Sequence, residues 1–316
     1  MKAIVINAYG GPDVLELKEV DKPEVKANDV LICVHAVGLN AGDCFSMRGS
    51  PWLARLTVGF PKPKDYILGW DVAGQVEAVG KDVTRFQQGD KVFASCNAAL
   101  AEYACAPEDK LSMAPNNLTL EQAAAVPTAA MAALHALRNQ AKVQPEQKVL
   151  INGASGGVGT FSVQIAKSLG AVVTGVCSTR NVDMGRSIGA DHIIDYTKED
   201  FTRSGRRYDL ILDNVGSRSF ADCRGALNPG GIHLPNTGHG GMSYVIKAYV
   251  LSAFMRKQAR PFLSVPNSED MAHIKDLIEA GEVKPVIDQT YQLGEIHKAF
   301  RYLEEEHARG KVVIVL

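Results

Sequence analysis

The sequence lacks an excess of charge of either sign. Its 316 residues include 34 Lys and Arg against 35 Asp and Glu, a formal net charge of −1. A nucleic-acid-binding domain usually carries a basic face, so the balanced charges argue against that class. The sequence also lacks an apolar run long enough to span a bilayer. We therefore expect neither a nucleic-acid partner nor an integral membrane segment.

Closely spaced cysteines are also missing. No two of the six cysteines have Cys-x-x-Cys spacing; they are Cys33, Cys44, Cys96, Cys105, Cys177 and Cys223. Scattered cysteines in a chain of this size fit small apolar residues better than a disulfide framework. The N-terminus shows no charged leader and no cleavage site. Both observations favour a reducing, cytoplasmic location.

The length favours two domains. Residues 1 to about 117 are rich in short β-like runs broken by Gly, Pro and Asp, which is typical of an antiparallel, barrel-like unit. Beyond that point, Thr119 and Gln122 have the spacing of a capping box. A single long Ala-rich helix is predicted over residues 120–137.

Short apolar strands alternate with helices beyond Pro145, which is typical of a parallel, doubly wound sheet. The predicted strands are 148–152, 172–177, 192–195, 209–213, 231–234 and 262–265. An apolar segment at 245–255 is interpreted as a crossover helix, with a substrate lid or a peripheral membrane contact as alternatives.

The pattern changes again near residue 267. A helix capped by Ser268, a strand near 283–291, a helix over 296–306 and a closing strand over 311–316 are predicted. These elements are too few for a core of their own. We expect residues 267–316 to complete the domain of residues 1–117, with residues 118–266 forming the doubly wound domain.

A glycine-rich loop follows the first predicted parallel strand and reads Gly153-Ala154-Ser155-Gly156-Gly157-Val158-Gly159. Such a loop, placed before a helix, presents backbone N–H groups to a pyrophosphate. Gly156 would admit the phosphates, and Gly159 would allow close packing of helix and strand. Ala154 replaces the first glycine of the usual G-x-G-x-x-G pattern. The alternative is a simple tight turn, but the surrounding strands and helices favour dinucleotide binding.

The end of the second parallel strand indicates which dinucleotide binds. NAD sites place a carboxylate there for the ribose 2′-OH, whereas this chain has Ser178, Thr179 and Arg180, and no carboxylate before Asp183. Hydroxyl groups and a guanidinium would receive a 2′-phosphate. The sequence therefore favours NADPH. The alternative for Arg180 is a solvated charge at the start of a helix.

Several motifs together resemble one family. They are GASGGVG, the opening MKAIVINAYGGPDVLELKEVDKP, VGLNAGD, LGWDVAGQVEAVGKDVTRFQQGDKVFA and the closing GKVVIVL. Taken in their order along the chain, they cover essentially the whole sequence and resemble a quinone oxidoreductase of the zinc-free branch of the medium-chain dehydrogenase/reductase superfamily. The CSTRN segment is most similar to the chloroplast-envelope quinone oxidoreductase homologue subgroup and its bacterial relatives.

The resemblance implies an α/β fold, with a GroES-like β-barrel catalytic domain built from both chain ends and an inserted Rossmann domain. It further implies hydride transfer from NADPH to a quinone or an activated alkene, and commonly a homodimer. Asn40 would lie near the nicotinamide, bonding the cofactor ribose or the substrate carbonyl. Asp43 matches the family's Asn-x-x-Asp motif in a catalytic or a structural role.

Three further cofactor contacts follow from the resemblance. Thr128 matches a position near the nicotinamide, with an ordinary helix hydroxyl as the alternative. Tyr196 matches a tyrosine on the adenosine side. Asn214 follows the fourth parallel strand, where ligands of open α/β sheets bind. Some enoyl reductases of the superfamily have a tyrosine proton donor in the segment after Asn-x-x-Asp. Residues 44–52 of this chain include no tyrosine, so water or an unplaced residue would supply the proton.

No metal is expected. Zinc-dependent members of the superfamily use a Cys and a His-Glu pair, and this chain has Asn40 and Trp70-Asp71 at those positions. Without these donors a tetrahedral zinc site is not formed there. Lacking a Lewis acid, the enzyme would favour a conjugated acceptor over alcohol oxidation. The competing hypotheses are a non-catalytic NADPH-binding sensor or structural protein and a zinc alcohol dehydrogenase.

Overall fold

The computed structural model describes residues 1–52, 55–64, 66–236, 246–247, 250, 260, 264–306 and 308–316. The chain divides into two compact units. The first consists of Met1–Met131, Pro266–Gly281 and Pro285–Leu316, and the second of Ala132–Val265 and Glu282–Lys284. Among the described residues, no helix combines the length and the apolar character needed to cross a bilayer.

The first unit is built mainly from antiparallel strands. They are β1 (Lys2–Ile6), β2 (Glu16–Glu19), β3 (Asp29–Leu39), β4 (Tyr66–Ile67), β5 (Asp71–Val79), β6 (Lys91–Ser95), β7 (Tyr103–Pro107) and β8 (Leu111–Met113). β1 lies between β2 and β4 in a small sheet, and the others form a larger sheet in which β3 pairs with both β5 and β7. The predicted antiparallel unit is confirmed.

The C-terminal segment joins this larger sheet through β14 (Ile287–Gln292) and β15 (Lys311–Val315). β15 pairs antiparallel with β3 and parallel with β14. Ile296 and Phe300 pack in the same apolar core as Ile314, because residues four apart share a helix face. The C-terminal segment therefore completes the first unit.

The helices of the first unit are few and short. They are α1 (Ala41–Arg48), α2 (Arg55–Val58), α3 (Leu120–Ala124), the start of α4 (Pro127–Leu134), Ser268–Glu279 and Ile296–Glu305. The carbonyl oxygen of Ala124 would lie 2.2 Å from a Cβ placed on Gly38, so α3 rests directly on β3. This close packing keeps α3 in the first unit, which extends beyond residue 117 to Met131.

A parallel five-stranded sheet forms the second unit, as the sequence predicts. Its strands are β9 (Lys148–Asn152), β10 (Val172–Cys177), β11 (His192–Asp195), β12 (Tyr208–Asp213) and β13 (Leu227–Pro235). They lie in the order β11-β10-β9-β12-β13. Helices α5 (Gly157–Ser168), α6 (Val182–Ser187) and α7 (Phe220–Gly225) alternate with them.

Two predicted elements of this unit fall mostly outside the described residues. These are the strand at 262–265, of which only 264 and 265 are described, and the apolar segment at 245–255, of which only 246, 247 and 250 are described.

The prediction of one long helix over residues 120–137 is wrong. The capping box is present, since Thr119 Oγ1 accepts from Gln122 N and Gln122 Oε1 accepts from Thr119 N. Pro127 then interrupts the helix, because proline has no N–H and disfavours helical geometry in the residue before it. The chain forms α3 and α4 instead, followed by a π-helical segment, His135–Ala141.

Two smaller corrections concern the C-terminal segment. The helix Ser268–Glu279 is capped by Asn267 rather than Ser268, since Asn267 Oδ1 accepts from Asp270 N at 2.8 Å. Asparagine is among the strongest N-caps. The strand expected near residues 283–291 begins only at Ile287.

Candidate functional site

A polar cluster lies inside the first unit and consists of Asn40 and Thr128, which are half-buried, and Asp71 and Lys311, which are buried. We call it the core polar cluster. Strand pairing brings three of its members together: β5 begins at Asp71 opposite Gly38 of β3, and β15 begins at Lys311 beside the end of β3. Asn40 follows β3 directly as the N-cap of α1.

Hydrogen bonds connect every member of this cluster. Lys311 Nζ donates to Asn40 Oδ1 at 2.6 Å, and Asn40 Nδ2 donates to Asp71 Oδ2 at 3.0 Å and to Gly38 O at 3.2 Å. The backbone N–H and hydroxyl of Thr128 donate to Asp71 Oδ1 at 3.0 and 2.5 Å. Lys311 Nζ also lies 3.5 Å from Asp71 Oδ2.

These partners determine what Asn40 can offer to a ligand. A lysine ammonium can only donate and an ionised carboxylate can only accept, so the Asn40 amide has a single consistent orientation. Both Nδ2 hydrogens are then committed, whereas Oδ1 retains one lone pair. Asn40 can accept from a hydroxyl, which suits a ribose, but has no free N–H for a substrate carbonyl.

Charge is buried in the cluster at considerable cost. Lys311 is 3% exposed and Asp71 is fully buried. Burial lowers the pKa of the Lys311 ammonium and raises the pKa of the Asp71 carboxyl. The hydrogen-bond donors that contact Asp71 lower its pKa again, and the attraction between Asp71 and Lys311 acts against both pKa shifts. A buried pair of this kind is strongly destabilised when one partner is removed.

Asp43 supports the cluster from the first turn of α1. Its Oδ2 accepts from Asn40 N at 2.8 Å, which holds the N-cap in place. The carboxyl is fully buried, and in the described part of the chain its Oδ1 has no hydrogen-bond partner. Burial, reinforced by the negative charge of Asp71, raises the pKa of Asp43 to about 7. Its geometry is that of a residue that positions Asn40.

The glycine-rich loop of the second unit has one closed face and one open face. A Cβ on Gly159 would lie 2.0 Å from the Gly153 carbonyl oxygen, whereas a Cβ on Gly156 would meet only that oxygen, at 3.6 Å. Gly156 caps α5, whose first residues Gly157 and Val158 leave their N–H groups without intrahelical acceptors. The loop therefore has open space at a helix N-terminus, as a diphosphate requires.

The structure also explains the missing first glycine of the motif. The left-handed backbone conformation falls on Gly153, with φ of 77°, and not on Ala154. Glycine is needed at that position. Ala154 is fully buried and its N–H bonds to Val176 O at 3.0 Å, so alanine fits without strain.

The remaining cofactor candidates follow consecutive parallel strands. Ser178, Thr179 and Arg180 follow β10, Tyr196 follows β11 and Asn214 follows β12. In a parallel sheet the carboxyl ends of the strands share one edge, and ligands bind where the strand order reverses. Here that point lies between β9 and β12, which are followed by Gly153 and Asn214.

At this edge, the side-chain amide of Asn214 has a donor group that can bind a polar ligand. Its Oδ1 accepts from Asn236 Nδ2 at 3.0 Å, whereas its buried Nδ2 has no hydrogen-bond partner among the described residues. Its Cβ lies 3.5 Å from a Cβ placed on Gly153. A buried donor without an acceptor is costly, and a bound dinucleotide would supply the acceptor. The second unit therefore fits a dinucleotide.

Two residues that no sequence motif marks hold the end of β10 in place at this edge. Asn181 Nδ2 donates to Ser155 Oγ at 3.1 Å and to Ser178 Oγ at 3.2 Å, which ties the glycine loop to the end of β10. Asp195 accepts from the Thr179 hydroxyl at 2.6 Å. No motif marks Asp195, because it belongs to the third strand rather than the second.

Asp195 limits what Thr179 can donate. Its hydrogen bonds with Thr179 and Thr197 hold the pKa of Asp195 well below its usual range, so the carboxylate is ionised at neutral pH. Lys198 lies 3.2 Å away and offsets part of this charge. The Thr179 hydrogen is committed to Asp195, which leaves Ser178 and Arg180 as the stronger candidates for a phosphate.

One group of metal-ligand type occurs in the described residues, namely Asp213, Cys223 and His233, buried in the second unit. Asp213 Oδ1 already accepts from Asn152 Nδ2 and from Gly216 N, at 2.8 and 2.9 Å. This carboxylate holds the turn that carries Asn214.

Lys311 is the member of the core polar cluster that no sequence motif marks. The sequence predicts it only as the start of a closing strand, and Asp71 only as a lost zinc ligand. The one available signal is a charged residue at the edge of the apolar run KVVIVL. This is also the ordinary pattern of an exposed strand start.

Comparisons with known proteins identify the family of the chain. A family model described as an alcohol dehydrogenase GroES-like domain matches residues 26–132, and one described as a zinc-binding dehydrogenase matches residues 188–314. A chloroplast envelope quinone oxidoreductase homolog of Arabidopsis thaliana is 33% identical, with 99% of this chain and 98% of that protein covered. A chloroplastic NADPH-dependent alkenal/one oxidoreductase of the same plant is 32% identical over 99% of this chain and 79% of its own length.

Solved structures give the same result. The quinone oxidoreductase from Coxiella burnetii matches with a TM-score of 0.89 at 31% identity and covers 100% of this chain and 99% of its own. The Escherichia coli quinone oxidoreductase complexed with NADPH has the same fold, with a TM-score of 0.86 at 23% identity and full coverage of both chains. The chain therefore belongs to the medium-chain dehydrogenase/reductase superfamily, in its quinone oxidoreductase-like branch. The predicted family and the predicted GroES-like plus Rossmann fold class are confirmed.

Proposed function

We propose that this protein is an NADPH-dependent oxidoreductase that transfers hydride to a quinone or an α,β-unsaturated carbonyl without zinc. The observation that carries the proposal is the Lys311 ammonium, 2.6 Å from Asn40 Oδ1 and 3.5 Å from Asp71 Oδ2. These are the positions at which zinc-dependent members of the superfamily have metal ligands. A second cation there would be repelled by the ammonium, and Asn40 is a poor zinc donor.

The absence of a Lewis acid from the proposed mechanism favours a particular class of acceptor. In alcohol oxidation, the alkoxide would lack a metal ion to stabilise its charge. Hydride addition to a conjugated carbonyl spreads the developing charge onto an oxygen, which hydrogen-bond donors can stabilise. Bound NADPH would supply the hydride. The names of the quinone oxidoreductase and alkenal/one oxidoreductase relatives support this substrate class.

Residues of both units contribute to the proposed activity. In the second unit, the N–H groups of Gly157 and Val158 bind the diphosphate, and Asn214 donates from its unpaired Nδ2. In the first unit, Lys311 and Asp43 hold Asn40 in position, and the side-chain oxygen of Asn40 can still accept one hydrogen bond from a ligand.

The preference for NADPH over NADH rests on the end of β10. Ser178 and Arg180 can donate to a 2′-phosphate, and a guanidinium matches phosphate geometry well. The ionised Asp195 would repel the extra negative charge of a 2′-phosphate, but two threonine hydroxyls already bond to it and Lys198 lies beside it.

We expect the protein to act as a homodimer, as the resemblance implies. Light scattering during size-exclusion chromatography measures the oligomeric state.

An acceptor panel tests the proposal directly. Oxidation of NADPH and of NADH is followed at 340 nm with a benzoquinone, a naphthoquinone, a linear enone and a simple aldehyde. We expect turnover of the conjugated acceptors with NADPH, no turnover of the aldehyde, no stoichiometric zinc by elemental analysis, and no loss of activity with a chelator. Zinc at one atom per chain, with activity lost on chelation, would contradict the zinc-free mechanism.

An Asn40→Ala variant tests the first unit separately. Removing the acceptor should lower kcat/KM for every conjugated substrate by about tenfold or more, and an unchanged kcat/KM would show that Asn40 has no such role. The alternative function, a sensor that binds NADPH without turnover, predicts saturable NADPH binding with no oxidation across the whole panel.

A further inference from the structure

Three large apolar side chains protrude from the first unit shortly after α1. Trp52, Leu56 and Phe60 are 64%, 65% and 73% exposed, respectively. A single exposed apolar side chain is common on a protein surface, but these three lie within nine residues of the chain. We call them the apolar patch. Clustered exposure of this kind marks surfaces that contact other molecules.

The backbone that carries the apolar patch is held against Tyr9. The Tyr9 hydroxyl donates to the carbonyl oxygen of Gly59, and the Arg55 guanidinium lies 4.7 Å from the centre of the Tyr9 ring. Arg55 Nε donates to Gly49 O at 3.1 Å, and a Cβ on Gly49 would lie 2.5 Å from the Tyr9 ring. Each residue of the patch is therefore within three residues of an anchored one, so a held backbone presents these side chains to the exterior.

The charge around the apolar patch is positive. Residues 44–64 include no acidic residue and four basic ones, Arg48, Arg55, Lys62 and Lys64. Arg48 is neutralised by Glu304, since its Nε lies 2.5 Å from Glu304 Oε1. Lys62 and Lys64 are exposed and directly follow the patch in the chain. The surface therefore combines protruding apolar groups with positive charge.

An anionic membrane surface matches both properties. Tryptophan and other large apolar side chains insert between lipid headgroups, where the apolar part of the bilayer begins. Lysines beside them are attracted to the negative charge of anionic lipids. A protein partner is a poorer match, because lysine is depleted from protein–protein interfaces. Charge complementarity thus favours a lipid surface as the occupant.

We propose that residues 52–64 bind the surface of an anionic membrane. Trp52, Leu56 and Phe60 insert into the headgroup region, and Lys62 and Lys64 lie against the negatively charged lipids. The binding is peripheral and reversible, because only three side chains insert. This inference goes beyond the proposed function, and its tests require no turnover.

Co-sedimentation with lipid vesicles tests the proposal on the full chain. We expect the protein to bind vesicles of phosphatidylcholine and phosphatidylglycerol about tenfold or more tightly than vesicles of phosphatidylcholine alone. Raising the ionic strength should weaken this binding, because salt screens the attraction between lysines and lipids. A protein that stays in the supernatant with anionic vesicles, or that binds both kinds of vesicle equally, would overturn the proposal.

Serine substitutions test the apolar patch. The triple variant with Trp52→Ser, Leu56→Ser and Phe60→Ser should bind anionic vesicles about tenfold or more weakly. Its melting temperature should stay close to wild type, because all three side chains are exposed. Leu56→Ser alone should also weaken binding. Leu17→Ser is its matched control, since Leu17 is 50% exposed on β2. A folded triple variant that binds like wild type would rule out the patch as the docking surface.

The position of the lysines is tested by moving the charge loss elsewhere. Lys62→Gln combined with Lys64→Gln should weaken binding to anionic vesicles by about tenfold or more. Lys18→Gln combined with Lys298→Gln is the control, because both lysines lie in the first unit and pair with glutamates. This control removes the same number of positive charges and should bind like wild type. Equal losses in the two double variants would contradict the docking face assigned here.

Tryptophan fluorescence locates the contact. The chain has two tryptophans, so Trp70→Phe leaves Trp52 as the only indole. Its emission should shift to shorter wavelength with anionic vesicles, because the indole enters a less polar environment. Trp52→Phe leaves Trp70 as the only indole and should show no shift. Trp52 emission that does not shift under conditions in which the protein sediments would show that the contact lies elsewhere.

A second copy of the chain is the competing occupant of the apolar patch. Light scattering during size-exclusion chromatography of the wild type and the triple serine variant distinguishes it from a membrane. If the wild type does not bind anionic vesicles and the triple variant loses an oligomeric state that the wild type has, the patch is an interface between copies and the membrane proposal is wrong. An oligomeric state shared by both proteins, with vesicle binding lost only in the variant, is the result expected.

Discussion

The ammonium nitrogen of Lys311 lies 2.6 Å from the side-chain oxygen of Asn40, although 271 residues separate them in the chain. The contact exists because β15 pairs with β3 and places Lys311 beside the start of α1. The position of Asn40 thus depends on the last strand of the protein. The same ammonium offsets the buried charge of Asp71.

Replacing Lys311 by methionine should destabilise the first unit strongly. The change leaves the Asp71 carboxylate buried without its cation, and we expect the free energy of unfolding to fall by about 3–5 kcal/mol. Urea denaturation measures this loss. Lys298→Met is the control, because Lys298 pairs with Glu295 while 69% exposed, and such surface pairs contribute less than about 1 kcal/mol.

A double variant shows whether the loss comes from the unpaired charge. The double variant with Asp71→Asn and Lys311→Met removes both charges. Its loss in free energy of unfolding should therefore be smaller than the sum of the losses of the two single variants. If Lys311→Met unfolds like Lys298→Met, the buried pair does not have the structural role assigned to it.

Asp43 should make stability depend on pH in a defined window. Its pKa of about 7 in the folded protein exceeds the value of about 3.9 expected in the unfolded chain. Between these two pKa values the folded state binds more protons than the unfolded state. The stabilising contribution of Asp43 to the free energy of unfolding is therefore complete below pH 4 and is lost as pH rises to about 7. The slope is at most about 1.4 kcal/mol per pH unit.

Asp43→Asn isolates this effect, because the amide oxygen can still accept from Asn40 N. The difference in unfolding free energy between wild type and variant should shift against the wild type from about pH 4 to about pH 7 and then become constant. Urea denaturation at four or five pH values measures it. A difference that stays constant across the window would mean that Asp43 does not retain its proton when the protein folds.

The parts of the molecule that the sequence predicted correctly are those specified by neighbouring residues. The glycine loop and the strands around it follow local patterns of Gly, apolar residues and caps, and the resulting α/β unit is present as expected. Pro127 also acts locally: it divides the Ala-rich run into α3 and α4, although the other residues of that run favour one continuous helix.

The unpredicted parts depend on contacts between distant residues. Lys311, Asp71 and Asn40 meet only after three strands pair, and nothing near Lys311 in the sequence distinguishes it from an exposed strand start. The Trp70 indole likewise packs against Gly42 of α1, where a Cβ would lie 2.1 Å from a ring carbon. Glycine at that position is informative only when its neighbour in space is known.

Arg180→Ala should change the choice between the two cofactors. Losing a charged donor to the 2′-phosphate should raise KM for NADPH by about tenfold or more, while KM for NADH stays within about twofold. Initial rates with one quinone and both cofactors measure the ratio. Arg186→Ala is the control, since Arg186 is 67% exposed in α6 and pairs with Asp183. Equal changes in both KM values would remove Arg180 from the phosphate site.

Two alanine substitutions in the glycine loop should separate cofactor binding from folding. Gly156→Ala points its methyl into open space, at a residue with φ of −84° that alanine readily adopts. We expect its melting temperature to stay close to wild type while the Kd for NADPH rises by about tenfold or more, because the methyl occupies the phosphate approach.

Gly159→Ala should behave in the opposite way, because its methyl would lie 2.0 Å from the carbonyl oxygen of Gly153. The loop or α5 must shift to admit it, so both stability and cofactor affinity should fall together. Thermal unfolding with and without NADPH, alongside calorimetric titration, distinguishes the two variants. If Gly156→Ala binds NADPH as tightly as wild type, the diphosphate does not lie over the open face of the loop, and the cofactor would have to bind elsewhere along the carboxyl edge of the sheet.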